Sequence, residues 1–309
     1  MFQIIGKTNI DFIGKRYIAF VISGILLSLG IISAVMIFIG KADLGIDFTG
    51  GVLIHGSFEK PIEMSEIRGV LSDAGFDDVQ LSAVQGENLQ DNSFIIRSKM
   101  MDPESDSLVG DRLLSVIKRG IPDNEFIMDS IDDIGPAVGE TLQDKAKWAI
   151  LLSLIGILIY IWVRFDFRFS VAATIATFHD VLAVMGIFFI FKIEISLLVV
   201  TGLLTLAGYS LTDTVVVFDR IRENLKLFRK KSSIADTFNT SINEMLSRTI
   251  ITSLTSGFVV LVLLLLGGEV LYDFSLTLLL GIIIGTYSSV FVASPVVVEW
   301  ENRSPRRLK

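Results

Sequence analysis

The sequence has no cysteine and, in 309 residues, only two histidines, His55 and His179. Disulfides, thiolate metal sites and cysteine nucleophiles are excluded, and a zinc-type site is disfavoured for want of ligands. No G-x-x-x-x-G-K-[ST] run occurs, so no Walker-type nucleotide site is expected. Neither a metal-ligand cluster nor a nucleophile–base pair is evident, and the expectation is no enzyme, no metal and no cofactor. Charge is also scarce: 20% of residues are Asp, Glu, Lys or Arg, against about 25% in a typical soluble domain. The hydrophobic share of 51% is barely unusual, but it is gathered into long blocks. That distribution excludes a single soluble globule and an intrinsically disordered chain.

A membrane-spanning helix needs about 20 mostly apolar residues. Six segments qualify or come close: Tyr17–Ile39, Ala146–Val163, Phe169–Ile190, Ile195–Phe218, Thr249–Leu266 and Phe274–Val298. The first is too long for a signal-peptide core of about 7–15 residues and lacks an A-x-A-like site, so it is expected to be an uncleaved anchor. Lys and Arg favour the cytoplasmic side of short loops. Lys7, Lys15 and Arg16 precede the first span, Arg164 and Arg168 flank the turn between the second and third, and Arg220 to Lys231 follow the fourth. Arg303, Arg306, Arg307 and Lys309 close the chain. With six spans, all of these share one face. Residues 1–16, the loop 219–248 and the tail 299–309 are therefore expected in the cytoplasm, in a multi-pass membrane protein. Residues 40–145 are expected outside. The stretch Ile234–Ser247 places apolar residues at helical spacing and reads as an amphipathic helix at the membrane surface.

The exterior segment is acidic. Residues 41–145 hold 21 Asp and Glu against 9 Lys and Arg, net −12, which leaves net +5 for the rest of the chain. Net charge of this kind serves solubility first. Strand-like runs over Leu44–Phe58, broken at Gly50-Gly51, precede a helical pattern from Ile62 to Ala74 that stops at Gly75. Alternation at Val79, Leu81 and Ala83 and at Phe94 and Ile96 predicts two strands. A helix over Glu104–Lys118, begun by Asp102 or Pro103 and followed by Gly120, and a strand over Glu125–Ile131 complete a β-α-β-β-α-β order. That is the order of a ferredoxin-like unit.

Ionisable groups inside spans cost about 2.5–3.5 kcal/mol at the helix centre and point to function by default. Asp213 lies in the fourth span with apolar residues on both sides, and Thr205, Ser210, Thr212 and Thr214 supply hydroxyls nearby. Gly202 and Gly208 permit close helix approach. Asp213 is either a permanently ionised polar anchor or a carboxylate that takes up and releases a proton. Arg248, opening the fifth span, either snorkels to the headgroups or serves as counter-ion to Asp213, with Thr249 beside it and Thr252 on its stripe four residues on. His179 and Asp180 sit mid-span and point about 100° apart on a helix, so both cannot face one partner; helix packing or interhelical hydrogen bonding is the simpler role.

These residues together resemble a family. Gly45-Ile46-Asp47-Phe48-Thr49-Gly50-Gly51 after the first span is similar to the start of the exterior domain in the SecF family. SecF proteins are the smaller of two paired membrane subunits that assist the bacterial Sec export channel. The run Gly208–Asn224 matches that family's fourth-span signature. Gly135-Pro136-Ala137-Val138-Gly139, His179-Asp180, Arg248-Thr249-Ile250-Ile251-Thr252-Ser253 and Gly267-Gly268 before Phe274-Ser275-Leu276 also fit in order. The resemblance implies half of a resistance–nodulation–division unit: a polytopic α-helical membrane protein of six transmembrane helices with one α+β ferredoxin-like exterior domain after the first. It implies pairing with SecD, association with the SecYEG channel and its small accessory subunit, and contact with translocating preprotein, the lipid bilayer and protons, with no nucleic-acid partner. Such proteins sit in the bacterial cytoplasmic (inner) membrane and use proton motive force to complete export after ATP-driven pushing by SecA. By the same resemblance Asp213, Arg248 and Thr252 belong to the proton pathway. His179, Asp180, Thr212 and Thr249 support it, and Gly45, Asp47, Gly50 and Gly51 form the exterior motif. At 309 residues the chain is expected to be the separate form rather than a SecD–SecF fusion. A small-molecule exporter of the superfamily would carry two halves and two large exterior domains. A scaffold that merely stabilises the export complex would need Asp213 only as structural glue.

Overall fold

The computed structural model describes residues 6, 8–76, 79–83, 92–99, 109–228 and 232–304. From the N-terminus run α1 (Arg16–Phe38), a single turn α2 (Ile46–Thr49), β1 (Gly51–Phe58), α3 (Met64–Asp73), β2 (Gln80–Ala83) and β3 (Ser93–Ser98). Then come α4 (Val109–Gly120), β4 (Phe126–Ile134), α5 (Pro136–Arg164), α6 (Phe167–Phe191), α7 (Leu197–Leu227) and α8 (Ile234–Leu266). The chain closes with α9 (Gly268–Ser288), a π-helical segment over Ser289–Ala293 and α10 (Ser294–Arg303). It divides into two units, Leu44–Trp148 and a helical unit made of Met1–Asp43 with Ala149–Lys309.

The first of these is an antiparallel sheet in the order β2-β3-β1-β4 with two helices, the ferredoxin-like arrangement. Alternate residues of β1 point inward, and Val52, Ile54 and Phe58 are fully buried. Ile54 pairs with Ile96 and Gly56 with Phe94, so the inward faces of β1 and β3 coincide. Ile67 and Leu71 of α3 and Leu113 and Ile117 of α4 cover that face. Each such side chain contributes about 1.5–3 kcal/mol on burial. The edge strand β4 is mostly exposed beyond Phe126 and carries Asp129, Asp132 and Asp133, charges that discourage edge-to-edge pairing.

Two local expectations are corrected here. The strand run expected from Leu44 begins only at Gly51, because residues 46–49 coil into α2. Gly50 leaves that turn at φ 74° and Gly51 follows at φ 146°, both conformations that a Cβ disfavours. The second helix includes Gly120 rather than stopping before it; its expected start, at Asp102 or Pro103, lies outside the described residues, as do Lys7, Arg229, Lys230, Lys231, Arg306, Arg307 and Lys309 of the basic clusters.

Among the described residues six helices are long and apolar enough to cross a membrane: Arg16–Phe38, Ala137–Arg164, Phe167–Phe191, Leu197–Leu227, Ile234–Leu266 and Val270–Arg303. The stretch read as a separate surface helix, Ile234–Ser247, runs without a break into the fifth of these, since no Gly or Pro interrupts Ser247-Arg248-Thr249. Ser233 caps it, accepting from the Asp236 amide at 3.1 Å. The sixth helix contains the π segment just ahead of Pro295, whose ring cannot continue the amide ladder. The Ser294 hydroxyl donates to the Ser289 carbonyl at 3.1 Å and satisfies a group that the widened turn displaces.

Glycine sets the closest helix approaches. A Cβ at Gly30 of α1 would press on the Leu182 backbone of α6, and one at Gly186 of α6 would meet the Gly30 amide at 2.8 Å. Gly202 of α7 packs on Thr277 of α9, whereas Gly208, expected to serve the same purpose, has nothing within 4 Å and is exposed. At the Arg16 end of α1 the segment before the helix is clamped to α8. Asn239 accepts from the Phe12 and Ile13 amides, and Asn243 accepts from the Ile10 amide and donates to its carbonyl. Phe12 and Ile13 are buried in a cluster with Phe165, Phe169, Phe218 and Phe238.

Candidate proton site in the helical unit

The polar groups of four helices converge midway along α6 and α7. Asp213 on α7 is half-buried and accepts a hydrogen bond from Ser289 of the π segment at 2.7 Å. The Thr249 hydroxyl of α8 is buried beside that carboxylate without reaching hydrogen-bond geometry. Arg248 and Asp180 are both near enough to act on Asp213 electrostatically. Ser289 reaches it from the π segment, so the local widening ahead of Pro295 places the donor.

Asp180 on α6 is completely buried. It accepts from Ser210 of α7, from Ser288 of α9 at 2.7 Å and from the His179 ring, with Nδ1 and Oδ1 2.9 Å apart. His179 and Asp180 are both 0% exposed and bond to each other, while Asp180 also accepts from two neighbouring helices. Their Cβ atoms diverge, but the ring folds back onto its neighbour's carboxylate. An ionised buried carboxylate requires such donors, because its desolvation is otherwise prohibitive.

The remaining candidates lie elsewhere. Arg248 is exposed and lines a cleft between α7 and α8 with Asp219, Arg220, Glu223 and Glu244. It forms no ion pair among the described residues. Thr252 and Thr212 are exposed on the outer surface of the helical unit; the Thr212 hydroxyl returns to the Gly208 carbonyl at 3.0 Å. The cluster thus brings together Asp213, Asp180, His179 and Thr249 and leaves Thr212 and Thr252 outside it. Ser288 and Ser289 were missed as donors. Two consecutive serines six residues before a proline, inside an apolar span, were the available signal.

The exterior motif is structural in its local geometry. The Gly45 carbonyl accepts from the Phe48 and Thr49 amides, and a Cβ on Gly51 would lie 2.5 Å from the Ser98 carbonyl oxygen. Gly139 at the start of α5 packs on the same turn: its Cβ would be 2.9 Å from the Gly50 amide. Asp47 sits within α2 and is half-buried. Two segments of the resemblance, far apart in sequence, therefore touch.

Chemically, the helical cluster offers two carboxylates, an imidazole, hydroxyl donors and a nearby guanidinium. Among the described residues no group of three or more His, Cys, Asp or Glu could hold a metal ion. Comparison with known proteins gives one consistent result. The family model described as "Protein export membrane protein SecD/SecF, C-terminal" matches residues 117–303. The protein translocase subunit SecF of Thermodesulfovibrio yellowstonii is 48% identical over 96% of this chain and 97% of its own length. That of Calditerrivibrio nitroreducens is 42% identical over 94% and 93%. A crystal structure of SecDF from Thermus thermophilus, described as a translocon-associated membrane protein, superposes with a TM-score of 0.80 at 35% identity, covering 98% of this chain and 40% of that one.

Proposed function

The chain belongs to the SecD/SecF family of protein export membrane proteins, its relatives being protein translocase subunits, and from that premise we propose that it couples proton flow to late-stage preprotein translocation. In this reading Asp213 takes up and releases the proton, and Arg248 lowers or raises its affinity by approaching or leaving it. The observation that carries the reading is a carboxylate inside an apolar helix, held by a single serine and within electrostatic range of an unpaired guanidinium. A permanently anchored aspartate would be expected to collect more donors, as Asp180 does.

The functional unit is a heteromer with SecD. Thr201, Thr205, Thr212, Arg248 and Thr252 are exposed along the α7 and α8 surface of the helical unit. Lipid is a poor environment for an arginine and a line of hydroxyls, whereas a second six-helix half would cover them and complete the pathway. The assembly works beside the SecYEG channel and its small subunit in the inner membrane, with both termini cytoplasmic. The spans extend over 17–39, 146–163, 169–190, 195–218, 249–266 and 274–298, and the domain at 40–145 faces the exterior and meets the emerging polypeptide.

Pulse–chase export tests this directly. Cells carrying Asp213→Asn should accumulate late translocation intermediates while the complex with SecD still assembles, and collapsing the proton gradient should add nothing to the defect. Normal gradient-dependent export by that variant would leave only the scaffold role.

A further inference from the structure

His179 has a feature that the packing does not use. Its Nδ1 bonds to Asp180, and its Nε2 is buried with no partner among the described residues. Asp180 accepts from hydroxyls of two other helices as well as from the ring, so three of the roughly four acceptor positions of a carboxylate are filled by donors. With the carboxylate as acceptor, the hydrogen of the neutral ring lies on Nδ1 and Nε2 is a bare acceptor. A side chain needed only to hold Asp180 requires one donor; the second nitrogen adds a desolvated acceptor without return.

We infer that the buried His179–Asp180 pair is a second protonatable station of this transporter, with the proton received at His179 Nε2. The inference rests on the proton-coupled reading above. The step is a proton transfer from a hydronium or a protonated carboxyl: one N–H bond forms, one O–H bond breaks, and Asp180 balances the imidazolium. The pair then passes from net −1 to neutral. Its link to Asp213 is short. Ser288 donates to Asp180 and the next residue, Ser289, donates to Asp213, at 2.7 Å each.

The other charged and titratable groups around the pair are few. Asp213 faces it from α7, with Arg248 of α8 acting on Asp213. Tyr287 of α9 has its ring 6.4 Å away, and its hydroxyl is taken up by the Ala19 carbonyl of α1. The stretch of α1 from Ala19 to Ser33 contains no titratable residue. Farther along α6, Arg168 is paired with Glu301 of α10. The change of charge at His179 therefore falls chiefly on Asp213, and the two stations are electrostatically coupled.

The scarcity of histidine makes the test clean. With His55→Gln, His179 is the only imidazole in the chain, so a 15N-histidine-labelled chain assembled with unlabelled SecD reports this ring alone. The expected result is a neutral, Nδ1-protonated ring near pH 9 that becomes doubly protonated on lowering the pH toward about 5. A single unchanging neutral tautomer over that range overturns the proposal, whatever variants do. The functional arm uses His179→Asn, whose amide nitrogen preserves the donor to Asp180 but cannot titrate. Proton flux in proteoliposomes of the complex should fall about a hundredfold, the scale of losing a positioned proton acceptor, and the remaining flux should lose one titration from its pH profile. Wild-type flux and profile in His179→Asn refute the second station alone. Wild-type flux in Asp213→Asn refutes the proton-coupled reading itself, and the labelled-ring titration still decides whether His179 takes a proton.

Discussion

Replacing Gly30 by alanine should separate two helices on which the polar cluster depends. The added Cβ would sit 2.6 Å from the Leu182 carbonyl carbon on α6, and closer still to its oxygen, where ordinary contact begins at 3.4 Å. Both obstacles are backbone, so no side chain can swing away, and α1 must withdraw from α6 by about 1 Å. Overpacking of that kind costs about 1–3 kcal/mol. Gly24, two turns earlier on the same helix, is exposed with nothing within 4 Å of its Cβ position. Alanine there should be neutral or gain up to about 1 kcal/mol from helix propensity. The two variants should therefore differ by about 1–4 kcal/mol, roughly a factor of five to nearly a thousand in the unfolding equilibrium constant. Reversible unfolding in mixed micelles, followed by tryptophan fluorescence, measures the difference. The α6 segment deformed in Gly30→Ala begins two residues after Asp180, so proton-coupled export should fall with stability. Equal stability of the Gly24 and Gly30 variants would show that the α1–α6 contact is looser than described.

Glu301→Gln leaves Arg168 buried without its anion and should destabilise the helical unit by about 3–5 kcal/mol; the unfolding midpoint checks it, and the exposed pair Lys147–Asp144 should show a far smaller effect on neutralisation. Gly51→Ala forces a side chain into φ 146° and against the Ser98 carbonyl, so cysteine-free limited proteolysis of the full chain should cut within residues 44–148 sooner than in wild type. The Asp11 carboxyl is held below the usual carboxylate range by hydrogen bonds from the Gly14 amide and then Asn239. A lowered folded value means that its contribution is complete above the ordinary carboxylate pKa and is lost as pH falls through the folded one. The protection of amides 10–14, their exchange measured relative to the intrinsic rate at each pH, should therefore be high at neutral pH and fall only in acid below about pH 4, and Asp11→Asn should remove that pH dependence; an identical acid dependence in the variant contradicts it.

Much of the fold could be read directly because its physics is local. A 23-residue apolar helix such as α1 announces itself by hydropathy, and the alternation at Phe94 and Ile96 announces an inward strand face. Asp213 was visible for a similar reason, as one ionisable group in an apolar run. The donors that make the site were not. Ser288 and Ser289 are small, neutral and common in spans, and only helix packing aims them at two different carboxylates. The bond between His179 and Asp180 was hidden because the helical angle between Cβ atoms says nothing about the reach of an imidazole. The α2 turn was hidden because its cause is backbone: two glycines at positive φ end a stretch whose side chains read as extended. Thr252 shares its stripe with Arg248 as spacing required, yet that stripe looks outward, which a single chain's sequence cannot distinguish from inward.

Proton movement itself tests the central claim most directly. The complex with SecD, reconstituted in vesicles with an internal pH dye and an imposed pH gradient, should dissipate that gradient in wild type and hold it in Asp213→Asn, with both preparations equally assembled. Equal dissipation by the two would contradict the assignment of Asp213 as the group through which the proton passes.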